Sequence, residues 1–260
     1  MSKYEKFYYD IYADSAYAHT TIAENHAFYS ELIHFLKKYH VAANHGKCLE
    51  VGSGRGTFQD LVEDYTGLDL SPTVASYYHK PFVAASATAI PLNDNTYDFI
   101  WSYAALEHVP EPDKALEEMV RITKNGGHLY LAPAWHCRKW AANGYQVRPY
   151  SDFNLIGKLY KFLIPLLDSL AIRGSIMLIR RLFVSFQYLL SHKDFPLIYG
   201  KLSANYDAFW QSDSDACNSL DPFFTALWFE SRGHVCVSHP DFIKKFFSTH
   251  DSLDIQILKN

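Results

Sequence analysis

The stretch 47–71 constrains the fold of this 260-residue chain more than any other part of it. The apolar run Cys48–Val51 predicts a buried strand, which breaks into a turn with three glycines at 52–56. A second predicted strand, 66–68, ends on Asp69, and the segment between the strands carries apolar side chains at helical spacing (Phe58, Leu61 and Val62). A nucleotide-binding βαβ unit has the same parts in the same order: a strand, a glycine turn, a helix, a second strand and a terminal acid. The glycines let the backbone approach a ligand closely, and the acid accepts hydrogen bonds from ribose hydroxyls.

The spacing of the glycines distinguishes between nucleotide ligands. A dinucleotide-binding turn has the pattern G-x-G-x-x-G. Here Gly52, Gly54 and Gly56 alternate instead, and Glu50 precedes the first of them by two residues. This E-x-G-x-G-x-G pattern, with Asp69 at the end of the next strand, resembles motifs I and II of the class I S-adenosylmethionine (SAM) methyltransferases. The resemblance implies that the turn faces the methionine part of SAM and that the second acid binds its ribose.

Three further motifs lie downstream in the order that this family has. The segment 91–102 (PLNDNTYDFIWS) resembles the family segment that leads into strand four. The segment 105–110 (ALEHVP) is close to a stretch of the type 11 subfamily, and 124–131 (KNGGHLYL) matches the turn into strand five. Residues 45–135 therefore resemble a methyltransferase type 11 domain.

The resemblance implies a Rossmann-like α/β fold. We expect a seven-stranded, mostly parallel sheet with a reversed final strand, helices on both faces and a helical cap inserted after strand five. The predicted divisions are 1–136 for N-terminal helices and the SAM-binding core, 137–220 for the inserted cap and substrate region, and 221–260 for the last helix and closing strands. A capped helix is predicted at 221–231. Two predicted strands, at 234–238 and 253–258, then complete the sheet.

SAM contacts are implied for the two motifs and the end of strand four, namely Glu50, Gly52, Ser53, Gly54, Gly56, Asp69, Leu70, Ser102 and Tyr103. Ser86 stands where the family often has an aspartate for the adenine amine. Its neutral hydroxyl gives a weaker bond than a carboxylate, so the backbone of Ala87 is the alternative contact. Tyr12 either folds over SAM, as N-terminal segments do in many relatives, or packs on the domain surface.

Two histidines are candidate general bases for a hydroxyl acceptor. His108 follows strand four, and His136 follows strand five at the sheet edge where ligands bind in open α/β sheets. The alternative for His108, together with Glu107, is that the pair begins the next helix and only shapes the pocket. Trp135 either walls the acceptor pocket or belongs to the core.

Two polar and aromatic loops supply the substrate-side candidates, since such loops often line sites. In 144–153 these are Arg148, Tyr150 and Asp152. In the second loop, Asp213 and Asp215 form a lone D-x-D pattern that could bind a metal, but a solvated acidic loop explains it more simply. We therefore predict no metal site.

The inserted segment leaves three interpretations open. Residues 155–190 are mostly apolar and aromatic with interspersed basic residues, and 137–220 contain ten basic and six acidic residues. In the first, the segment forms a lid whose arginines contact an anionic group of the acceptor. In the second, it forms a basic amphipathic surface for peripheral membrane contact. In the third, it is a packing or dimerisation element. No run of 18 uncharged apolar residues occurs, so a spanning helix is not predicted.

Composition restricts the partners and the compartment. The net charge of −4 argues against a general nucleic-acid binder. Four scattered cysteines without a C-x-x-C pair predict reduced thiols in a cytoplasmic protein, with or without membrane-peripheral contact. The charged and aromatic segment 1–10 does not resemble a secretory signal.

These observations predict SAM-dependent methyl transfer to oxygen or nitrogen of a small-molecule, glycan or lipid-linked acceptor. One alternative is a non-catalytic SAM-binding or interaction protein. A nicotinamide-dependent oxidoreductase is a second alternative, and the missing glycine of the dinucleotide pattern counts against it. The oligomeric state stays open.

Overall fold

The computed structural model describes residues 2–11, 23–191 and 193–259. The predicted SAM contact of Tyr12 lies outside the described residues.

The main sheet confirms the predicted fold class. In the described parts of the chain, the strands are β1 Cys48–Val51, β2 Tyr65–Asp69, β3 Phe82–Ala84, β4 Tyr97–Tyr103, β5 Thr123–Ala132, β6 Gly200–Lys201, β7 Asn218–Ser219, β8 Val235–Cys236 and β9 Leu253–Gln256. Seven of them form one sheet in the order β3-β2-β1-β4-β5-β9-β8. Strands β1 to β5 pair in parallel, whereas β9 is antiparallel to both of its neighbours. The carboxyl ends of β1, β2 and β4 therefore meet at one edge, where such sheets bind ligands.

The α-helices are α1 Lys3–Ile11, α2 Tyr29–Lys38, α3 Pro112–Ile122, α4 Leu155–Leu167, α5 Leu170–Leu190, α6 Pro222–Glu230 and α7 Phe242–Phe247. Helix α6 begins as its sequence predicts. The Asp221 side chain accepts a hydrogen bond from the Phe223 backbone N–H, and Pro222 occupies the first turn, where its missing N–H costs nothing.

The helix expected between the first two strands is absent, and this prediction was wrong. Residues 52–64 form turns, although Phe58 and Val62 are buried as the apolar spacing suggested. The three glycines up to Gly56 all have positive φ, which an α-helix cannot accommodate. Only 57–64 remain before β2, about two helical turns, and they must also return the chain to the sheet.

Alternate side chains of the strands fill two apolar layers. Leu49 and Ile100 belong to the layer covered by α3 and α6, whereas Cys48 and Trp101 belong to the layer covered by α2. This alternation follows from the two-residue period of a strand. The sheet is thus covered on both faces, so the carboxyl edge is where a ligand can enter.

The insert after β5 contains two helices, and it rests on α6. Arg181 of α5 is fully buried and holds Asp221 with two hydrogen bonds, of 2.7 Å to Oδ1 and 3.2 Å to Oδ2. Within the described residues, no single helix has the length and apolarity to cross a bilayer. Helices α4 and α5, bent by 77°, meet that test together by length and composition only. The domain boundaries at 137 and 220 stay predictions.

Candidate active site

A cavity of about 90 Å³ lies at the carboxyl ends of β1, β2 and β4. Its walls come from the predicted motif segments and from α1, and its lining residues are Tyr4, Tyr8, Val51, Gly52, Leu68, Asp69, Leu70, Ala85, Ala87, Ala104, Ala105, Leu106, His108 and Val109. Thus five predicted site residues share one cavity: Gly52, Asp69, Leu70, Ala87 and His108. We call it the strand-end cavity.

Asp69 closes the glycine turn onto β2. Its Oδ2 accepts a hydrogen bond from the Gly54 N–H at 2.8 Å, and its Oδ1 accepts one from the Ser71 N–H at 3.0 Å. Burial raises the pKa of Asp69, and the hydrogen bonds from backbone N–H groups, including that of Leu70, oppose this rise. A carboxylate has about four acceptor sites, so at least one remains for a ribose hydroxyl.

The glycine turn lies directly on the segment after β4. Gly52 has φ of 75°, and a Cβ there would stand 2.2 Å from the Cβ of Ala105. Both the backbone conformation and the close approach require glycine. Gly56 is similarly close to a side chain, because an added Cβ would lie 2.7 Å from the ring of Tyr78.

Tyr78 is a site residue that sequence reasoning missed. Its hydroxyl lies 2.7 Å from Ser53 Oγ and 2.9 Å from the carbonyl oxygen of Gly54, so it bridges the turn from below. No motif signals this contact, since the segment after β2 has no fixed pattern around the tyrosine. Ser53 and Gly54 do not line the cavity; they support its wall.

We expect Tyr78→Phe to weaken binding of SAM, the cofactor that the motifs predict, by about three- to tenfold, because it removes hydrogen bonds worth about 1 kcal/mol from the turn and leaves its shape otherwise intact. Isothermal titration calorimetry measures the effect. Tyr77→Phe is the matched control, because this neighbour is exposed and its ring faces Arg55. Equal affinities of wild type and Tyr78→Phe would contradict the supporting role.

Glu50 is buried beneath the turn and does not line the cavity. Its Oε2 accepts a hydrogen bond from the Tyr65 hydroxyl at 2.5 Å. Burial raises the pKa of Glu50 to about 8, with Tyr65 and the nearby Trp101 opposing the rise. The carboxyl therefore favours its neutral form at pH 7, which suits a structural role under the turn.

Near the position that the resemblance predicts for adenine, the alanines around Ser86 form the wall. The Ser86 hydroxyl lies 2.8 Å from Thr88 Oγ1, within its own turn, whereas Ala85 and Ala87 line the cavity. This placement favours the backbone of Ala87 over the Ser86 hydroxyl as the predicted contact to the adenine amine. At the end of β4, the two predicted contacts Ser102 and Tyr103 do not line the cavity, and the positions that follow them supply the wall.

His108 stands at the other end of the strand-end cavity, between acidic groups. Its Nδ1 is 3.2 Å from Asp215 Oδ2, and this carboxylate accepts a hydrogen bond from Tyr8 at 2.6 Å. Its Nε2 is 3.8 Å from Oε1 of Glu107, which is fully buried. Burial raises the pKa of Glu107, and the neighbouring His108 opposes this rise.

The acidic loop before α6 packs on the segment that carries His108. The Cys217 N–H donates to the Glu107 carbonyl at 3.0 Å, and Asn218 Nδ2 donates to the carbonyls of Leu106 and Val109, each at 2.8 Å. This loop therefore brings Asp215 to the site from a position over 100 residues away in sequence.

Three residues of this cluster could hold a cation. Glu107, His108 and Asp213 each offer one ligand atom, and these atoms lie within 4.8 Å of one another. Asp213 is thus part of the site and not a fully solvated acid, as burial also raises its pKa. The predicted absence of a metal stays a prediction.

His136 lies away from the strand-end cavity, at the joint between the insert and α6. Its Nδ1 is 3.9 Å from Asp221 Oδ2. Burial lowers the pKa of His136 to about 4, although the Asp221 charge opposes this. Trp135 is buried and lines a separate cavity with Tyr103. The geometry thus favours His108 over His136 as a base.

The predicted substrate residues form a cluster of their own. Arg148 Nε lies 3.2 Å from Asp152 Oδ2, and its guanidinium is 4.5 Å from the ring centre of Trp210. Tyr150 is next to them, with Lys161 Nζ 5.2 Å above its ring. None of these residues lines the strand-end cavity, so their substrate contacts stay predictions.

Comparison with known proteins supports the motif assignment. A family model described as a methyltransferase domain, of type 11, matches residues 49–131. A demethylmenaquinone methyltransferase of Renibacterium salmoninarum is 36% identical over 99 residues, which are 35% of this chain and 42% of that protein. A chloroplastic tocopherol O-methyltransferase of Arabidopsis thaliana is 29% identical over 121 residues, 42% of this chain and 34% of that protein. The chain thus spans less than half the length of either relative.

Solved structures of methyltransferases also align with part of the chain. A SAM-bound amino pentose methyltransferase from Micromonospora echinaspora is 21% identical, with a TM-score of 0.38 over 44% of this chain and 54% of the other. A SAM-dependent methyltransferase from Aquifex aeolicus is 23% identical, with a TM-score of 0.35 over 40% and 64%.

Proposed function

We propose that this chain transfers a methyl group from SAM to oxygen or nitrogen of an acceptor, since residues 49–131 match the model of a methyltransferase domain of type 11. The observation that carries the proposal is the strand-end cavity. Its walls combine the glycine turn and the acid of the cofactor motifs at one end with His108 at the other.

The residues present fit SAM. Gly52 has no room for a Cβ, so the turn offers bare backbone to a ligand, and Asp69 retains acceptor capacity towards the cavity. The cavity of about 90 Å³ is smaller than the roughly 300–1,000 Å³ of ligand pockets. Tyr4 and Tyr8 of α1 line this cavity, and Tyr8 is held by its hydrogen bond to Asp215. The side chain of Tyr4 is therefore the group that moves when SAM binds.

His108 is the proposed general base. Bound SAM supplies an already activated methyl group, so the protein's tasks are alignment, exclusion of water and removal of the acceptor proton. Asp215 Oδ2 lies 3.2 Å from Nδ1 and accepts a hydrogen bond from Tyr8, so this carboxylate is proposed to align the imidazole when the acceptor binds. Nε2, which lies 3.8 Å from the buried Glu107, then accepts the proton of an acceptor hydroxyl. Tyr8 and Asp215 are positioning residues.

The acceptor is proposed to be a small molecule, a glycan or a lipid-linked molecule. The two relatives described above are named for demethylmenaquinone and tocopherol, which supports testing such acceptors first. The proposed location is cytoplasmic. The rivals are a non-catalytic SAM-binding protein and, with less support, a nicotinamide-dependent oxidoreductase.

Calorimetric titration with SAM, S-adenosylhomocysteine and NADH tests the cofactor. We expect micromolar binding of the first two, no binding of NADH, and at least about tenfold weaker SAM binding by Asp69→Asn. The amide nitrogen of this variant cannot accept from the N–H of Gly54 or Ser71, and bonds to a charged acceptor are worth about 1.5–3 kcal/mol. The exposed Asp60, which pairs with His79, provides the matched control Asp60→Asn.

The outcomes separate the rival classes. Binding of NADH with no binding of SAM would refute the proposed methyl transfer and support a nicotinamide-dependent oxidoreductase. SAM binding that Asp69→Asn leaves unchanged would refute the ribose assignment. Tight SAM binding without release of S-adenosylhomocysteine with any acceptor tried would favour the non-catalytic binder.

A further inference from the structure

Helices α4 and α5 expose an apolar surface that the proposed chemistry does not use. Of the 25 large apolar side chains exposed among the described residues, fifteen lie on these two helices. Monomeric soluble proteins rarely expose contiguous apolar patches larger than a few hundred Å². We call this surface the α4–α5 face; it consists of Leu155, Ile156, Leu159, Phe162, Leu166, Leu167, Leu170, Ile176, Leu178, Ile179, Leu182, Phe183, Phe186, Leu189 and Leu190.

The opposite side of α5 is tied to the core. Arg181 and Val184 are buried against α6, and Arg181 also donates a hydrogen bond to the carbonyl of Phe246 in α7. A helix held along one side in this way cannot leave the domain to cross a bilayer unless it breaks the ion pair with Asp221. Its apolar side therefore offers lateral contact only, as in a helix lying in the membrane interface.

The exposed ionisable residues of α4 and α5, beside the α4–α5 face, are both basic: Lys158 and Arg180. The acid between the two helices, Asp168, is half-buried and pairs with Arg138 at 2.9 Å and Arg173 at 3.2 Å. A symmetric dimer places the same patch against itself, so neither cation would find an acid there. Burial of unpaired charges is costly, whereas anionic lipid headgroups supply the missing partners.

We propose that the α4–α5 face docks on the interfacial region of a lipid bilayer that contains anionic lipids. Aromatic side chains such as Phe162, Phe183 and Phe186 enter the boundary between headgroups and acyl chains, and Lys158 and Arg180 extend to the phosphates. This inference does not depend on methyl transfer, because the α4–α5 face contributes no residue to the strand-end cavity.

Flotation of the full chain with lipid vesicles tests the docking, without cofactor or acceptor. We expect the protein to float with phosphatidylcholine vesicles that contain a minority of phosphatidylglycerol, and to float much less with phosphatidylcholine alone. Phe183→Gln/Phe186→Gln should weaken partitioning by at least about tenfold, because both apolar side chains leave water on docking. Lys158→Gln/Arg180→Gln should reduce the preference for the anionic vesicles.

The control variant Val235→Gln/Leu258→Gln changes two exposed apolar residues at the far edge of the sheet and should float as the wild type does. Circular dichroism of each variant checks that it is folded. Absence of wild-type flotation with both vesicles would overturn the proposal. A second result would also overturn it. In this case the wild type is a dimer in sedimentation, Phe183→Gln/Phe186→Gln dissociates that dimer, and the wild type and the variant float equally with vesicles.

Discussion

Replacing Arg181 by methionine is expected to lower the free energy of unfolding by about 3–5 kcal/mol. The guanidinium is fully buried, and it bonds both oxygens of Asp221 as well as the carbonyl of Phe246. Methionine approximates its volume but leaves the buried Asp221 carboxylate without its charged partner. Because Asp221 also caps α6, the loss affects the contact between the insert and the closing part of the sheet.

Urea unfolding monitored by circular dichroism measures this effect. Arg180→Met is the matched control, since this neighbouring arginine is exposed and only stacks on Phe224, and we expect its effect to stay below about 1 kcal/mol. The double variant Arg181→Met/Asp221→Asn should recover part of the loss, because it removes the uncompensated charge. A change below about 1 kcal/mol in Arg181→Met would show that the buried pair is not what fastens α5.

Replacing His108 by alanine is expected to reduce turnover of a hydroxyl acceptor by about a hundredfold or more, with little change in the dissociation constant of SAM. The physical reason is that the acceptor proton loses its base while the glycine turn and Asp69 keep their hydrogen bonds. Release of S-adenosylhomocysteine under saturating SAM measures turnover, with calorimetry measuring affinity.

Two further variants separate the base from general effects on the fold. His79→Ala changes an exposed histidine that pairs with Asp60 and does not line the strand-end cavity, so it should keep full turnover. Asp215→Asn should lower turnover less than His108→Ala, since the imidazole stays in place and only the charge 3.2 Å from its Nδ1 is lost. Full turnover in His108→Ala together with a large loss in His136→Ala would transfer the role of the base to His136.

Local patterns determined much of what was predicted correctly. The glycine turn and the acid at the end of β2 are properties of short segments, because they depend on backbone conformations that particular residue types favour. The turn expected at 124–127 was wrong, since β5 already begins at Thr123. The start of α6 was also predictable, since Asp221 and Pro222 satisfy its first turn through neighbours in sequence. These elements carry the resemblance to the methyltransferase family, and they predicted the positions of Asp69 and His108 at the cavity.

The prediction from sequence failed where two local patterns favoured different backbone conformations. The apolar spacing of 57–64 predicted a helix, but the positive φ values of the preceding glycines and the short distance to β2 leave only turns. Phe58 and Val62 are buried all the same, so burial followed the spacing while secondary structure did not.

Only the tertiary structure decided which side chains share the strand-end cavity. Tyr8 and Asp215 meet at His108 from positions about 100 residues away on either side, and Tyr78 supports the turn from the segment after β2. Likewise, the sequence showed an apolar, basic insert, but only packing revealed that Arg181 binds Asp221 while the α4–α5 face stays exposed. Contacts between segments distant in sequence produce no recognisable residue spacing in the chain, because they depend on how helices and loops pack around the folded sheet.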